Sequence, residues 1–269
     1  MGQEIKKLAK TTLFISILFF FFLLGIKNGE CQGMGMQEGI LSSLKGKIPK
    51  EWGERVKGVK TRLKTDQKVI ALTFDACRGT RSSGYDEKLI RFLSEEKIPA
   101  TLFMSGKWID VNQGIFLNLA KRALFEIENH GLNYKPCSVN GRSAYGIEGT
   151  KSVEEIFDEI EGNALKIQSL TGRKPRYYRP AAATCDEICV EIANGLGYEV
   201  VNFSALGDAG ATYTKKQVKE ALLKAPPSSI ILMHMNRPDG ETADGLMEAI
   251  PEIKKHGFRF VKLSAYSLR

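Results

Sequence analysis

Five side chains able to hold or move a proton stand at or just beyond the ends of apolar runs. Asp75 closes "VIALTFD", His130 follows "LFEIEN", Arg179 ends "RYYR", Asp208 follows "NFSALG" and His234 ends "SIILMH". Carboxylates and imidazoles exchange protons near neutral pH, and imidazole is also a common ligand for divalent metals. Singly, each has a plainer reading: a strand-end aspartate caps a turn, and a buried histidine is a hydrogen-bonded part of the framework. Together, recurring at the same place relative to successive apolar runs, they point to one site. The chain has three histidines and two belong to this set. The third, His256 in "KKHGF", precedes a glycine at a helix end and reads as a cap favoured by the helix dipole.

The elements that must position these residues begin near Lys68. Short β-branched or aromatic runs are expected as strands near 69–74, 100–104, 125–128, 176–179, 199–203, 229–233 and 258–262. Helical periods lie between them, near 86–96, 113–121, 153–170, 186–195, 215–224 and 242–255. "SVEE" at Ser152–Glu155 and "TKKQ" at Thr214–Gln217 carry the hydroxyl and the acidic or amide side chain of reciprocal N-terminal capping. About seven strands alternating with helices predict an α/β fold with parallel pairing, a distorted (β/α) barrel in preference to an open sheet. In such a barrel the site lies at the C-terminal strand ends, which is where the five residues fall.

The chain has 269 residues and a net charge of +8. Thirteen basic and six acidic residues fall within the first 68, so the remainder is close to neutral and the excess belongs to the lead-in. A nucleic-acid partner is not expected, although "RKPRYYRP" mixes base and aromatic. Lys6, Lys7 and Lys10 precede an uncharged run from Thr11 to Ile26, the layout of a secretory signal or a membrane anchor. The expected organisation is a signal or anchor over 1–31, a basic stalk or linker over 32–67 and a folded domain over 68–269. An exported protein meets an oxidising compartment. Of the five cysteines, Cys185 and Cys189 are four apart and on a helix would share a face as small apolar groups.

"TFDAC", "NHGLNYKP", "RPAAA", "GDAG" and "LMH", in this order, resemble the five motifs of the NodB-homology polysaccharide deacetylases, carbohydrate esterase family four. The likeness runs from about Val69 to Leu263. It implies a distorted barrel of about seven units that removes acetyl groups from an N-acetylated glycan with a divalent metal, usually zinc. By the match, Asp75 is the base that takes a proton from water and Arg179 orients it. His234 is the acid that protonates the departing amine, Asp208 supports His234, and an amide just after Pro180 contributes to an oxyanion hole.

The family's metal ligands are a second aspartate directly after the base and two histidines four residues apart. Here Ala76 takes the place of that aspartate, His130 is present, and Tyr134 stands at the second histidine's position. A phenol must ionise from a pKa near 10 to bind zinc well. Asp75 itself, Asn133, Asp86, Cys77 or Cys137 are the replacement donors to consider, although a Cys77–Cys137 disulfide, or two unlinked thiols, is preferred to thiol ligation. The expectation is an exported, envelope-associated hydrolase of an amino-sugar glycan. Two alternatives stand beside it: a catalytically impaired glycan-binding protein, and an amide hydrolase of this fold acting on a non-sugar substrate.

Overall fold

The computed structural model describes residues 38–77 and 83–269. The apolar N-terminal run and Cys31, which bear on export, lie outside them. The chain divides into two units, Met1–Lys45 and Gly46–Arg269. In the first, helix α1 covers 38–44. Among the described residues no helix is long and apolar enough to cross a membrane.

The second unit is built on parallel strands: β1 (Val69–Ala76), β2 (Ala100–Met104), β3 (Phe125–Asn129), β4 (Tyr177–Tyr178), β5 (Glu199–Val200), β6 (Ala205–Leu206), β7 (Ser229–His234) and β8 (Arg259–Val261). Their order is β5-β4-β3-β2-β1-β7-β6, and β8 lies along the first three residues of β1. β5 and β6 belong to one stretch that pairs with β4 at its start and with β7 at its end. The seven expected strands are therefore all present in a curled, incompletely laddered barrel. Helices α2 (Glu87–Glu95), α3 (Gly106–Val111), α4 (Gln113–Ala120), α5 (Val153–Thr171), α6 (Glu187–Gly195), α7 (Lys215–Leu223) and α8 (Thr242–Lys255) make up the rest.

β1 is buried along its whole length, and strand alternation divides its side chains between two cores. Ile70, Leu72, Phe74 and Ala76 join the cluster beneath the helices, with Leu93, Leu246 and Ile250. Val69 and Ala71 join the barrel interior with Phe103, Tyr177 and Val201. Asp75 shares the parity of Val69 and Ala71, so the acid faces the barrel axis. Burying each of the larger outer-face side chains contributes roughly 1.5–3 kcal/mol.

Caps fix where the helices start. Thr214 and Gln217 form the reciprocal box expected of them. Ser152 accepts from Glu155 N, but the Glu155 carboxylate turns to Lys151 N, leaving that box half made. His256 is the C-cap of α8, before Gly257 at φ 81°.

The folded unit extends further toward the N-terminus than composition suggests. Residues 46–67, read as linker from their Gly and Lys content, supply part of the wall. Lys60 N donates to Val200 O, Asn202 N to Lys60 O, and Leu63 N to Ser228 O. Leu63 is fully buried.

The cysteine pairing differs from the expectation. Cys137 is bonded to Cys189, and Cys77 and Cys185 are free and buried. Cys137 N donates to Thr184 O and Asp186 N to Cys137 O, so the stretch around 137 runs alongside 184–186. Asp186 caps α6 through Cys189 N, which sets Cys189 in the first turn facing Cys137.

Candidate active site

Asp75 and His234 are register partners on adjacent parallel strands, so their side chains emerge on the same face at the same height. His130 follows β3, Arg179 follows β4, and Asp208 lies two residues past β6. Asp75, His130, His234 and Arg179 share one electrostatic neighbourhood, and Asp208 joins it through His234.

Arg179 is completely buried. Its Nη1 donates to Asp75 Oδ1 at 2.6 Å and to Thr73 Oγ1 at 3.0 Å. Nε and Nη2 donate to Val201 O and Asn202 O, at 3.0 and 3.1 Å. The guanidinium lies 4.1 Å from the centre of the Phe103 ring. A buried cation is tolerated only when its donors are satisfied, and here Nε, Nη1 and Nη2 each have an acceptor. Burial by itself pushes the Asp75 carboxyl up. The Arg179 guanidinium, with His234, outweighs it and holds the group below the ordinary aspartate value, so Asp75 is ionised at neutral pH.

His130 Nδ1 lies 2.8 Å from Arg179 O. A carbonyl can only accept, so Nδ1 carries the proton and Nε2 presents a lone pair. Nε2 is buried without a hydrogen-bond partner, 3.4 Å from Asp75 Oδ2. Burial lowers the His130 pKa despite the opposing pull of Asp75, which keeps the ring neutral. Two acceptors therefore face each other. Tetrahedral zinc with bonds of about 2.0–2.1 Å would hold two ligands about 3.4 Å apart, so these atoms match two corners of such a centre.

The remaining corners are not supplied. Among the described residues no three His, Cys, Asp or Glu side chains gather to hold a metal. Residues 78–82 contain none of these types. Ala76 lies in the cluster beneath the helices. Tyr134 packs edge-on against His130, with centroids 5.1 Å apart. Burial, then the neighbouring Cys77, drives its phenol well above the ordinary tyrosine value and keeps it protonated. Burial also pushes the Cys77 thiol up to about 11, and its Sγ accepts from Asn236 Nδ2 at 3.4 Å. Asp86 caps α2, the side chain and backbone amide of Asn133 both turn to Glu159, and Cys137 is consumed in the disulfide. The residues present do not make a zinc site with three protein ligands.

The dyad opposite is complete. His234 Nδ1–H donates to Asp208 Oδ1 at 2.9 Å, and Asp208 Oδ2 accepts from His234 N at 2.7 Å and Thr242 Oγ1 at 3.0 Å. Burial alone would lower the His234 pKa. The Asp208 carboxylate reverses this and raises it, with help from Asp75. The His234 side chain is 15% exposed while that of Asp208 is fully covered, so the imidazole is the member that meets solvent.

Glu159 on α5 was not among the expected site residues. Its carboxylate accepts from Asn133 N and Lys135 N, on either side of Tyr134, whose φ is 62°. It thus shapes the loop that follows His130. Its signal in sequence is a charge inside the buried stripe of Ile156, Ile160 and Asn163.

Residues 62–201, just over half of the chain, match the family model described as polysaccharide deacetylase. A peptidoglycan-N-acetylglucosamine deacetylase from Bacillus cereus is 25% identical over 203 residues, covering 74% of this chain and 88% of the relative. Two solved structures share the fold. A family-four carbohydrate esterase pseudoenzyme from Bacillus anthracis has TM-score 0.65 and 20% identity, covering 77% of this chain and 67% of its own. PdaA, a family 4 carbohydrate esterase of Bacillus subtilis, has TM-score 0.64 and 22% identity, covering 81% and 96%.

Proposed function

The chain belongs to the polysaccharide deacetylase family of hydrolases, and from that premise we propose that it removes N-acetyl groups from an amino-sugar polymer of the cell envelope. Asp75 takes a proton from the attacking water, and Arg179 keeps it ionised and oriented. His234 hands a proton to the departing amine, and Asp208 fixes its tautomer and supports its charge. Ala183 N and Thr184 N are used within the turn after Pro180, and Ala182 N interacts with the Tyr134 hydroxyl. Ala181 N–H is therefore the amide assigned to the developing oxyanion.

The observation that carries this reading is the opposite displacement of two neighbouring groups. Asp75 is held below its ordinary pKa and His234 above its own, at one register position on adjacent strands. A base biased toward its ionised form beside an acid biased toward its protonated form suits amide hydrolysis, and binding alone needs neither. No step is routed through a metal, because the donors do not complete its site. Export to the envelope is part of the proposal and rests on the charged, then apolar, N-terminal run.

The test is acetate release from N-acetylglucosamine oligomers by the full chain, with and without added zinc, beside Asp75→Asn and His234→Gln. Release that both substitutions abolish supports hydrolysis. A second reading, a glycan-binding protein without turnover, is favoured by the two-donor metal site. Oligomer binding without acetate release under either condition would select it.

A further inference from the structure

We propose that a collar on the β3–β4 side of the barrel mouth, carrying Trp52 and Tyr145, is a distal subsite that grips sugar units of an amino-sugar polymer beyond the one undergoing reaction. The inference rests on the glycan reading above and extends it to residues outside the acid–base machinery.

The collar is built from three chain segments. Gly53 and Cys185 exchange backbone hydrogen bonds of 3.0 and 3.1 Å, and Cys137 bridges Cys185 in parallel. The Cys137–Cys189 disulfide ties the third segment to α6. Residue 185 follows the turn after Arg179, and residue 137 follows the loop of His130 and Tyr134. The collar therefore continues directly from the candidate active site. Asn202 reinforces the junction, its Nδ2 donating to Glu54 O and Ala183 O.

Two aromatic rings are displayed on this frame. Trp52 is half-buried beside a shallow, open depression lined by residues 51–56, and the Arg142 guanidinium lies 5.0 Å from its ring centre. Arg142 comes from the loop 138–150, which is held from inside. Ser138 Oγ accepts from Asn140 N and Arg142 N, and Thr150 Oγ1 donates to Ser138 O. At its tip, Ala144 and Ile147 exchange hydrogen bonds around Tyr145 and Gly146, at φ 50° and 76°.

Positive φ at both central positions is the geometry that Asn-Gly adopts readily and a bulky L-residue resists. The residue placed there is a tyrosine that is 83% exposed. A strained backbone that presents a large ring to water contributes nothing to the core. Strain of this kind is retained where it positions a group for a ligand. Aromatic rings held on a stiff loop give contact area at little entropic cost, which suits the flat, part-apolar faces of pyranose rings. Arg142 adds a hydrogen-bonding cation for acetamido or carboxylate oxygens of the same polymer.

The test is a titration of the full chain with the N-acetylglucosamine monomer and tetramer, followed by tryptophan fluorescence and calorimetry. The chain has two tryptophans, and Trp108 is fully buried with its indole N–H donating to Gly84 O, so a ligand-dependent change reports Trp52. The tetramer is expected to bind at least tenfold tighter than the monomer and to shift the emission. Tyr145→Asn restores the turn's preferred residue and should leave the melting temperature unchanged or higher, yet weaken the tetramer about tenfold. Equal affinity for monomer and tetramer, or a Tyr145→Asn chain that binds the tetramer as tightly as the native one, would overturn the proposal. Acetate release that persists beside either result refutes the subsite and spares the hydrolase reading, whereas tetramer binding without acetate release does the reverse.

Discussion

Removing the Cys137–Cys189 bond gives the most quantitative check on the architecture around the site. The cysteines are 52 residues apart. Freeing a loop of about that length returns about 14 cal/mol/K to the unfolded chain, or about 4 kcal/mol at 25 °C. For a folded unit of this size that corresponds to a fall of about 8–16 °C in the thermal midpoint. Cys137→Ala/Cys189→Ala also deletes two buried sulfur atoms, and Cys185→Ala, which removes one from the same collar without a cross-link, supplies the correction. Urea unfolding of the full chain, native and doubly substituted, should differ by about 4 kcal/mol beyond twice the Cys185→Ala effect. The double variant should also lose affinity for long oligomers more than it loses hydrolysis of short ones. A corrected difference under about 1 kcal/mol, or an unlinked Cys137 peptide in a non-reducing digest, would refute the reasoning.

Asp75→Asn should lower acetate release by about 10²–10⁴-fold, while its remaining oxygen still accepts from Arg179 and keeps the midpoint above that of Asp75→Ala. In the proposed mechanism protonated His234 is the acid, so activity is expected below its raised pKa and should be lost as pH climbs through it. Asp208→Asn removes the carboxylate that raises this value and should move the alkaline limb of kcat/KM to lower pH; an unmoved limb would remove His234 from the mechanism. Glu159→Ala strands amide donors at Asn133 and Lys135, at about 1–3 kcal/mol for each one left unpaired, and hydrogen exchange at those two positions should quicken. Tyr134→His adds a nitrogen donor beside His130 at a positive φ that histidine tolerates, and calorimetry should show tighter zinc binding than in the native chain.

The strands were legible because seven β-branched runs alternate with helical periods, and the five rim residues because they recur at the ends of those runs. α3 was not foreseen: six residues carry less than two turns of period, and only Ser105, whose Oγ accepts from Trp108 N, marks its start. The cysteine pairing depends on residues 137 and 184–186 lying side by side, a long-range fact with no local signature. Glu159 looked like one more acid on a charged helix, because its burial is decided by the loop it meets. Residues 46–67 read as linker for a similar reason: their apolar content is low, and their attachment comes from backbone ladders that composition does not record.

Arg179 donates to Val201 O and Asn202 O, the two carbonyls where the 199–206 stretch leaves β4 and has yet to reach β7. One guanidinium thus rivets the seam of the barrel and steadies the carboxylate inside it. Descendants of this chain that abandoned chemistry altogether would still need that rivet. Its presence in a relative therefore reports an intact wall, and by itself says nothing of turnover.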